Sequence, residues 1–206
     1  MDWLANVRIE YVVAAIVILF IARLWLARYK TPIGKSAAEV VESALVAIIL
    51  VFLIIRPFFI QVYTIRSASM EPTLREGDHI LLNKLVYRLR PPRDGEIIVF
   101  RAPKSWTADG TEREFIKRLV GVPGDLIAVK NGKLLRNGKP VDEPYIKEPM
   151  NYEMDPIRVP RGKLFVMGDN RNNSNDSVKE GLLDLKRVLG KSIAIFWPPN
   201  RARIIK

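Results

Sequence analysis

The octapeptide Ser67-Ala68-Ser69-Met70-Glu71-Pro72-Thr73-Leu74 sets two hydroxyls one residue apart ahead of a proline. Pro72 fixes its own φ and drives Glu71 toward extended backbone, so the turn holds a hydroxyl in one place. A serine hydroxyl becomes a useful nucleophile only when a base takes its proton. The one histidine, His79, lies in Gly77-Asp78-His79-Ile80, which reads as turn into strand and gives it a structural role. A lysine can be the base only when neutral. Its pKa must then fall from about 10.4 by roughly three units, which costs about 4 kcal/mol and is what burial among apolar groups does. The second stretch, Phe115-Ile116-Lys117-Arg118-Leu119-Val120-Gly121-Val122-Pro123-Gly124-Asp125, offers such a setting: in a strand, Lys117 shares a face with Phe115 and Leu119. The third stretch is Gly168-Asp169-Asn170-Arg171-Asn172-Asn173-Ser174-Asn175-Asp176-Ser177. Plainer readings stand beside these: a linker turn for the octapeptide and an exposed strand lysine for Lys117.

The elements that must position these groups fall into two parts. In 206 residues, 49% of them apolar, there is room for one domain plus membrane anchors. Every residue from Tyr11 to Ala22 is apolar or aromatic, and after Arg23 the run continues through Leu24-Trp25-Leu26-Ala27. Read as a helix over about 6–27, it spans about 33 Å, enough to cross a bilayer. Arg23 can snorkel to headgroups near one end, and Trp3 and Trp25 fall at belt positions. A cleaved leader would end in small residues rather than in Leu24-Trp25-Leu26. A second run extends from Val40 to Ile60, is strictly apolar from Ala44 to Ile55, and stops at Arg56-Pro57, predicting a helix over about 40–57; a buried soluble helix is the alternative. Arg28, Lys30 and Lys35 between the runs place that loop in the cytoplasm. Residues 1–60 are thus expected to be the anchor region, and residues 61–206 a domain outside the cytoplasm.

From residue 61 the pattern changes to short apolar runs, such as Glu96-Ile97-Ile98-Val99-Phe100 and Leu164-Phe165-Val166-Met167, separated by turn signals that include Asn131-Gly132 and Asn137-Gly138. Asn-Gly marks hairpins because both residues tolerate positive φ. The expected fold is mainly β, an antiparallel domain with long loops at 102–112 and 140–160. The one stretch with a hint of helical period is Leu182–Leu189.

There is no cysteine, which excludes disulfides and thiolate zinc sites, and a single histidine nearly excludes histidine-rich metal sites. We expect neither metal nor cofactor. The net charge of +11 suggests an anionic neighbour. The charges are spread thinly and no helix-turn-helix or zinc-finger spacing occurs, so anionic lipid headgroups are favoured and nucleic acid is not.

Taken together, Ser69–Leu74, Gly77–Lys84, Lys117–Asp125 and Gly168–Ser177, in this order behind two apolar runs, resemble type I signal peptidase, the membrane-bound serine protease that removes secretory leader sequences. The resemblance covers the whole chain. It implies an antiparallel-sheet catalytic domain behind two transmembrane helices, in the plasma (inner) membrane, on the extracytoplasmic side. It implies Ser69 as nucleophile, Lys117 as general base, Ser67 and the Ser69 amide as oxyanion donors, and Ser174 as the hydroxyl that orients the lysine amine. The implied substrates are signal-peptide-bearing preproteins, cut after a small residue with another two positions earlier. Small side chains suit shallow apolar pockets, and Tyr63, Ile65, Val99 and Ile116 are the apolar residues at matching positions; plain core is the alternative for these four. Arg118, Asp169, Arg171 and Asp176 are expected to form a charge cluster that shapes the site, or else ordinary salt bridges. The family commonly has a basic residue after Asp-Ser where this chain has Val178, so Asp176 needs another partner: Arg171, Lys179 or Arg118.

Other classes fit less well. A self-cleaving Ser/Lys repressor lacks the apolar runs and needs a DNA-binding helix pair, and the Ser-x-x-Lys spacing of penicillin-binding enzymes occurs nowhere. A membrane-anchored binding module is the non-enzymatic alternative; it has no use for a buried neutral lysine.

Overall fold

The computed structural model describes residues 9–28, 31–51 and 60–205. The chain divides into two compact units, residues 1–61 and 62–206.

In the first unit, α1 (Ile9–Leu26) packs beside α2 (Pro32–Ile49). Arg23 of α1 donates from Nε and Nη2 to one carboxylate oxygen of Glu42 on α2, at 3.0 and 2.8 Å. Tyr11, Val17, Ile18, Phe20, Ile21 and Trp25 of α1 are exposed. Among the described residues, no helix is long and apolar enough to cross a membrane. The second helix also begins well before the expected Val40. Thr31 caps it, its Oγ1 accepting from Gly34 N at 3.1 Å, and Pro32 fills the first turn, where a missing N–H costs nothing. Lys35, expected in the loop, is therefore helical. Hydropathy marks where a helix is apolar, whereas its cap decides where it starts. The expected Trp3, Lys30 and Arg56-Pro57 features lie outside the described residues.

The second unit is mainly β, with two antiparallel sheets. The larger has eight strands in the order β1-β2-β11-β3-β4-β9-β10, with β12 on β11; the smaller has the order β7-β6-β5-β8. The strands that matter most are β1 (Ile60–Thr64), β2 (His79–Asn83), β3 (Ile97–Arg101), β4 (Glu114–Gly121), β9 (Lys163–Met167) and β11 (Val188–Trp197). The small sheet comprises β5 (Leu126–Lys130), β6 (Lys133–Arg136), β7 (Lys139–Pro140) and β8 (Met154–Arg158), and β10 (Leu183–Asp184) and β12 (Arg203–Ile204) are two-residue edges. Both Asn-Gly pairs make the expected hairpins: Asn131 and Asn137 have φ of 51° and 55°, and their strands pair across two-residue turns.

The unbroken run Ile97-Ile98-Val99-Phe100 has a simple cause. Ile97 and Val99 enter one hydrophobic cluster with Met70, Leu74 and Ile80, while Ile98 and Phe100 enter another with Trp106, Leu119 and Val166. Side chains alternate along a strand, so burial on both faces demands apolar residues at every position. A third cluster joins the small sheet, through Ile127, Val129 and Leu134, to Phe165 and Met167 of β9. The 102–112 loop holds only a 3₁₀ turn at Lys104–Trp106, while β8 interrupts the expected 140–160 loop. Leu182–Leu189 is not an α-helix: β10, a 3₁₀ turn at Leu185–Arg187 and the start of β11 share it, because Leu183 pairs with Leu164 of β9. Two short helices, α3 (Val86–Leu89) and α4 (Ser177–Glu180), complete the unit.

Candidate active site

The serine turn is rigid for reasons visible in its sequence. Ser67 is extended, Ala68–Met70 makes one 3₁₀ turn, and Glu71 returns to extended backbone before Pro72, at a cis peptide bond. Met70 and Leu74 are completely buried in the first cluster and anchor the turn from beneath. Leu74 N donates to Met70 O at 2.9 Å, and the base of the loop is closed where Ile65 N donates to Asp78 O at 2.8 Å and Gly77 N to Ile65 O at 3.0 Å.

Gly168-Asp169-Asn170 clamps this turn from the other side. Asn170 donates its backbone N–H to Ser69 O and its side-chain amide to Ala68 O, both at 3.1 Å. Thr73 donates its hydroxyl to Asp169 Oδ2. Together these hydrogen bonds hold the chain on either side of the Ser69 hydroxyl.

Lys117 reaches the same point from the middle of β4. Phe115 and Leu119 flank it and belong to the second cluster, and its Nζ lies 5.3 Å from the centre of the Phe115 ring. Nζ donates to Ser69 Oγ at 2.8 Å and to Ile116 O at 3.1 Å. Lys117 is 4% exposed and Ser69 is 8% exposed. Burial pulls the Lys117 ammonium down to about 8, against the upward pull of the Asp176 and Asp169 carboxylates. The shift is large because stripping water from an ammonium disfavours its charged form. Ser67, exposed, places its Oγ 3.2 Å from Ser69 Oγ.

Ser174 is 5% exposed, and its hydroxyl has no hydrogen-bond partner among the described residues. The expected bond to the Lys117 amine is therefore not made here, although Ser174 Oγ does lie beside Gly168, next to the Ser69 carbonyl.

The expected charge cluster resolves into two buried pairs and one capping carboxylate. Arg118 Nε and Nη2 donate to the two oxygens of Asp169 at 2.8 and 2.7 Å, and Arg118 Nη1 donates to Gly95 O at 2.7 Å. Arg171 pairs instead with Glu143, donating from Nη1 and Nη2 at 2.9 and 2.7 Å, while its Nε donates to Gly168 O at 2.9 Å. Asp176 takes none of the three cations expected for it as a hydrogen-bonding partner. It accepts from Gly168 N at 2.9 Å and from Val178 N at 3.1 Å, capping α4. Charge-assisted bonds from two backbone N–H groups give this carboxylate its hydrogen-bonding partners without a cation at position 178.

The four apolar candidates divide. Ile65 and Val99 are 4% and 2% exposed and belong to the first cluster, whereas Tyr63 and Ile116 are half-buried at its margin. The Tyr63 hydroxyl is buried, and burial and then the Glu114 carboxylate push its pKa up. His79 sits on β2, with Nδ1 3.3 Å from Thr64 Oγ1 and its ring against Phe196. No group of three His, Cys, Asp or Glu among the described residues is placed to hold a metal ion.

Four residues escaped the sequence reading. Asn170 and Thr73 lie inside the motifs but carry no recognisable chemistry of their own. Glu143 and Tyr145 lie in a loop without a motif. The Tyr145 ring centre is 3.7 Å from the Arg118 guanidinium carbon and its hydroxyl donates to Glu143 Oε1 at 3.0 Å. Burial and then the Glu143 carboxylate push that hydroxyl's pKa up, so it keeps its proton.

A model of the family described as signal peptidase, peptidase S26, matches residues 37–197. The chain is 41% identical over 165 residues to the probable signal peptidase I-1 of Synechocystis sp., covering 79% of this chain and 84% of that one. It is 37% identical over 182 residues to signal peptidase I of Bacillus licheniformis, covering 82% and 93%. A crystal structure of a signal peptidase I from Enterococcus faecalis superposes with a TM-score of 0.43 at 27% identity, over 50% of this chain and 97% of that one.

Proposed function

Because the chain belongs to the signal peptidase family, peptidase S26, and so is a serine peptidase that removes signal peptides, we propose that it does so with a Ser69/Lys117 dyad. The observation that carries this reading is the buried amine of Lys117, 2.8 Å from the Ser69 hydroxyl.

With the amine neutral, the Ser69 hydroxyl donates along that same line to the lysine lone pair. The oxygen attacks the scissile carbonyl carbon as its proton passes to Nζ. Negative charge moves onto the carbonyl oxygen, where the Ser67 hydroxyl and the Ser69 amide stabilise it. The protonated amine then delivers its proton to the leaving nitrogen, the C–N bond breaks, the mature chain departs, and the signal peptide stays as an acyl-enzyme on Ser69. Water, deprotonated by Lys117, repeats the sequence and frees the signal peptide from the serine. A neutral amine has two N–H groups left over. One goes to Ile116 O, and Ser174 Oγ, buried and without another partner among the described residues, is the acceptor for the second. The Arg118–Asp169 and Arg171–Glu143 pairs and Asp176 hold the frame around these groups.

Substrate is taken as an extended strand along β1, which stands at the end of the large sheet. Tyr63 and Ile116 lie at the margin of the first cluster and contact the small side chains before the cut, with Ile65 and Val99 as the floor beneath them. The N-terminal unit anchors the enzyme in a membrane with anionic headgroups, its domain outside the cytoplasm. What supports this is the apolar run Tyr11–Ala22 and the large apolar side chains that α1 leaves exposed.

The deciding experiment is incubation of the enzyme in detergent with a labelled preprotein, followed by mass determination of the new N-terminus. Release of a mature chain after a small residue, with another small residue two positions earlier, is expected. An uncut preprotein in the presence of folded enzyme refutes the proposal.

A further inference from the structure

We propose that the turn segment 143–147 is a strap that positions the reacting groups, with Glu143, Tyr145 and Lys147 as its positioning residues. The inference rests on the dyad reading above. Residues 143–146 make a turn closed by Ile146 N donating to Glu143 O at 3.3 Å, and the side chains of Glu143, Tyr145 and Lys147 all grip the catalytic segments. Glu143, its side chain 4% exposed, is paired with Arg171, whose side chain is fully buried. Arg171 in turn holds Gly168 O at 2.9 Å. Tyr145 lies flat enough on Arg118 to bring its ring centre within 3.7 Å, and Arg118 holds both oxygens of Asp169. Lys147 bridges to Glu71 at 3.0 Å, and its backbone N–H donates to Asp169 O at 3.1 Å. The serine turn, the strand that carries Lys117 and the Gly168–Arg171 segment therefore meet on one short piece of chain that comes from none of the motifs.

The energetics favour positioning over stability. A buried ion pair gains little over an apolar pair of the same volume; its best-attested use is to select one arrangement among several. The Glu143 carboxylate accepts two N–H groups from Arg171 and the Tyr145 hydroxyl. Every one of those donors is directional, so the pair resists the small slips that separate a hydroxyl from its base. The Lys147–Glu71 bridge is on the rim, with side chains 47% and 29% exposed, and contributes least.

The test uses the full chain in detergent with a preprotein substrate and reads kcat, KM and the pH of half-maximal kcat. Glu143→Gln is expected to lower kcat by about 10²-fold with KM changed by less than about twofold, the signature of a misplaced reacting group. Its half-maximal pH is expected to move upward, as water reaches the loosened Lys117 amine. Glu143→Asp, which keeps the charge, is expected to recover part of the loss. Tyr145→Leu leaves no buried charge unpaired, keeps the fold if Glu143→Gln does not, and is expected to lower kcat about tenfold in the same pattern. A Tyr145→Leu enzyme with wild-type kcat and an unmoved half-maximal pH overturns the strap. Ser69→Ala, run in parallel, separates the two readings: if it is inactive while the strap variants are fully active, only the strap fails, and if it turns over normally, both fail.

Discussion

A methyl group on Gly168 would stand 2.4 Å from the carbonyl oxygen of Ser69 and 2.5 Å from the hydroxyl of Ser174. One of those neighbours is backbone and cannot swing away, and the other is fully enclosed. Gly168 N is also tied to Asp176, so the strand end cannot retreat. Gly168→Ala must therefore push the serine turn away from Lys117. We expect kcat on a preprotein to fall by at least about 10²-fold, with a loss of about 1–3 kcal/mol in unfolding free energy from overpacking. Turnover at the wild-type rate would show that the close approach has no catalytic meaning.

The hydroxyls of the turn separate by role. On the proposed mechanism Ser69→Ala removes the attacking atom, and no measurable cleavage of a preprotein is expected from a variant that keeps its fold. On the same proposal Ser67→Ala would leave nucleophile and base in place and remove one donor to the developing oxyanion, so kcat should fall by about 10²–10³-fold while KM stays near wild type. Ser67 is exposed, so its loss should hardly move the melting temperature. Equal rates for wild type and Ser67→Ala in a single-turnover assay would remove Ser67 from the oxyanion role.

With Lys117 as the proposed base, its protonation should set the acid side of the pH profile. Only the neutral amine accepts the serine proton, and burial brings its pKa to about 8. The rate should therefore rise with pH, tenfold per unit well below 8, and level off above it. An uncovered lysine would place that bend near 10.4. A kcat profile that is flat from pH 6 to pH 9 would mean that no group of this kind is the base.

The same burial has a cost in stability that can be measured without substrate. Holding an ammonium of folded-state pKa about 8 in place of 10.5 penalises the folded chain by about 3 kcal/mol wherever the amine is protonated in both states. Between about pH 8 and 10.5 the unfolded chain binds the proton more tightly than the folded one, so this contribution to stability rises with pH; below 8 the whole penalty is present. Lys117→Met keeps the length and the apolar contacts with Phe115. It should be more stable than wild type at pH 7, and its advantage should shrink as the pH approaches 10. Denaturant unfolding of both proteins across that range is the check. An advantage that is constant with pH would reject the buried-amine account.

Much of this fold is legible in the sequence because its signals are local. Asn131-Gly132 and Asn137-Gly138 need only their own backbone to make a hairpin. The run Ile97–Phe100 announces a strand buried on both faces, and the alternation Phe115, Lys117, Leu119 already places the lysine among apolar neighbours. The features that escape depend on partners remote in the chain. Arg171 is expected with the Asp169 and Asp176 charges and is found with Glu143, from a loop that no motif marks. Asp176 finds two backbone amides, which every residue offers and no sequence advertises. The start of α2 escapes for a different reason: Thr31-Pro32 is a cap, and the weakly apolar stretch behind it stands out less than the run from Val40. Ile65 and Val99 are apolar for the core as much as for any substrate, and composition cannot separate those demands.

Ser174 offers a test in which stability and activity should part. Its hydroxyl is enclosed and has no partner among the described residues. A buried hydroxyl without a bond is unfavourable by about 1–3 kcal/mol on the protein scale. Ser174→Ala should accordingly leave the folded protein as stable as wild type or more so. Removing a bonded serine such as Ser177, which accepts from Val166 N at 3.0 Å, should do the reverse. If Ser174 accepts the second N–H of the neutral Lys117 amine during turnover, the same substitution should lower kcat by about 10–10²-fold by freeing the amine to turn its lone pair away from Ser69. Ser174→Thr, which restores an oxygen at the cost of a methyl group beside Gly168, should recover less than Ala loses. Measuring melting temperature and kcat on the same preparations decides the matter. A destabilised but fully active Ser174→Ala enzyme would make Ser174 a structural residue and leave the lysine to be oriented by Ile116 O alone.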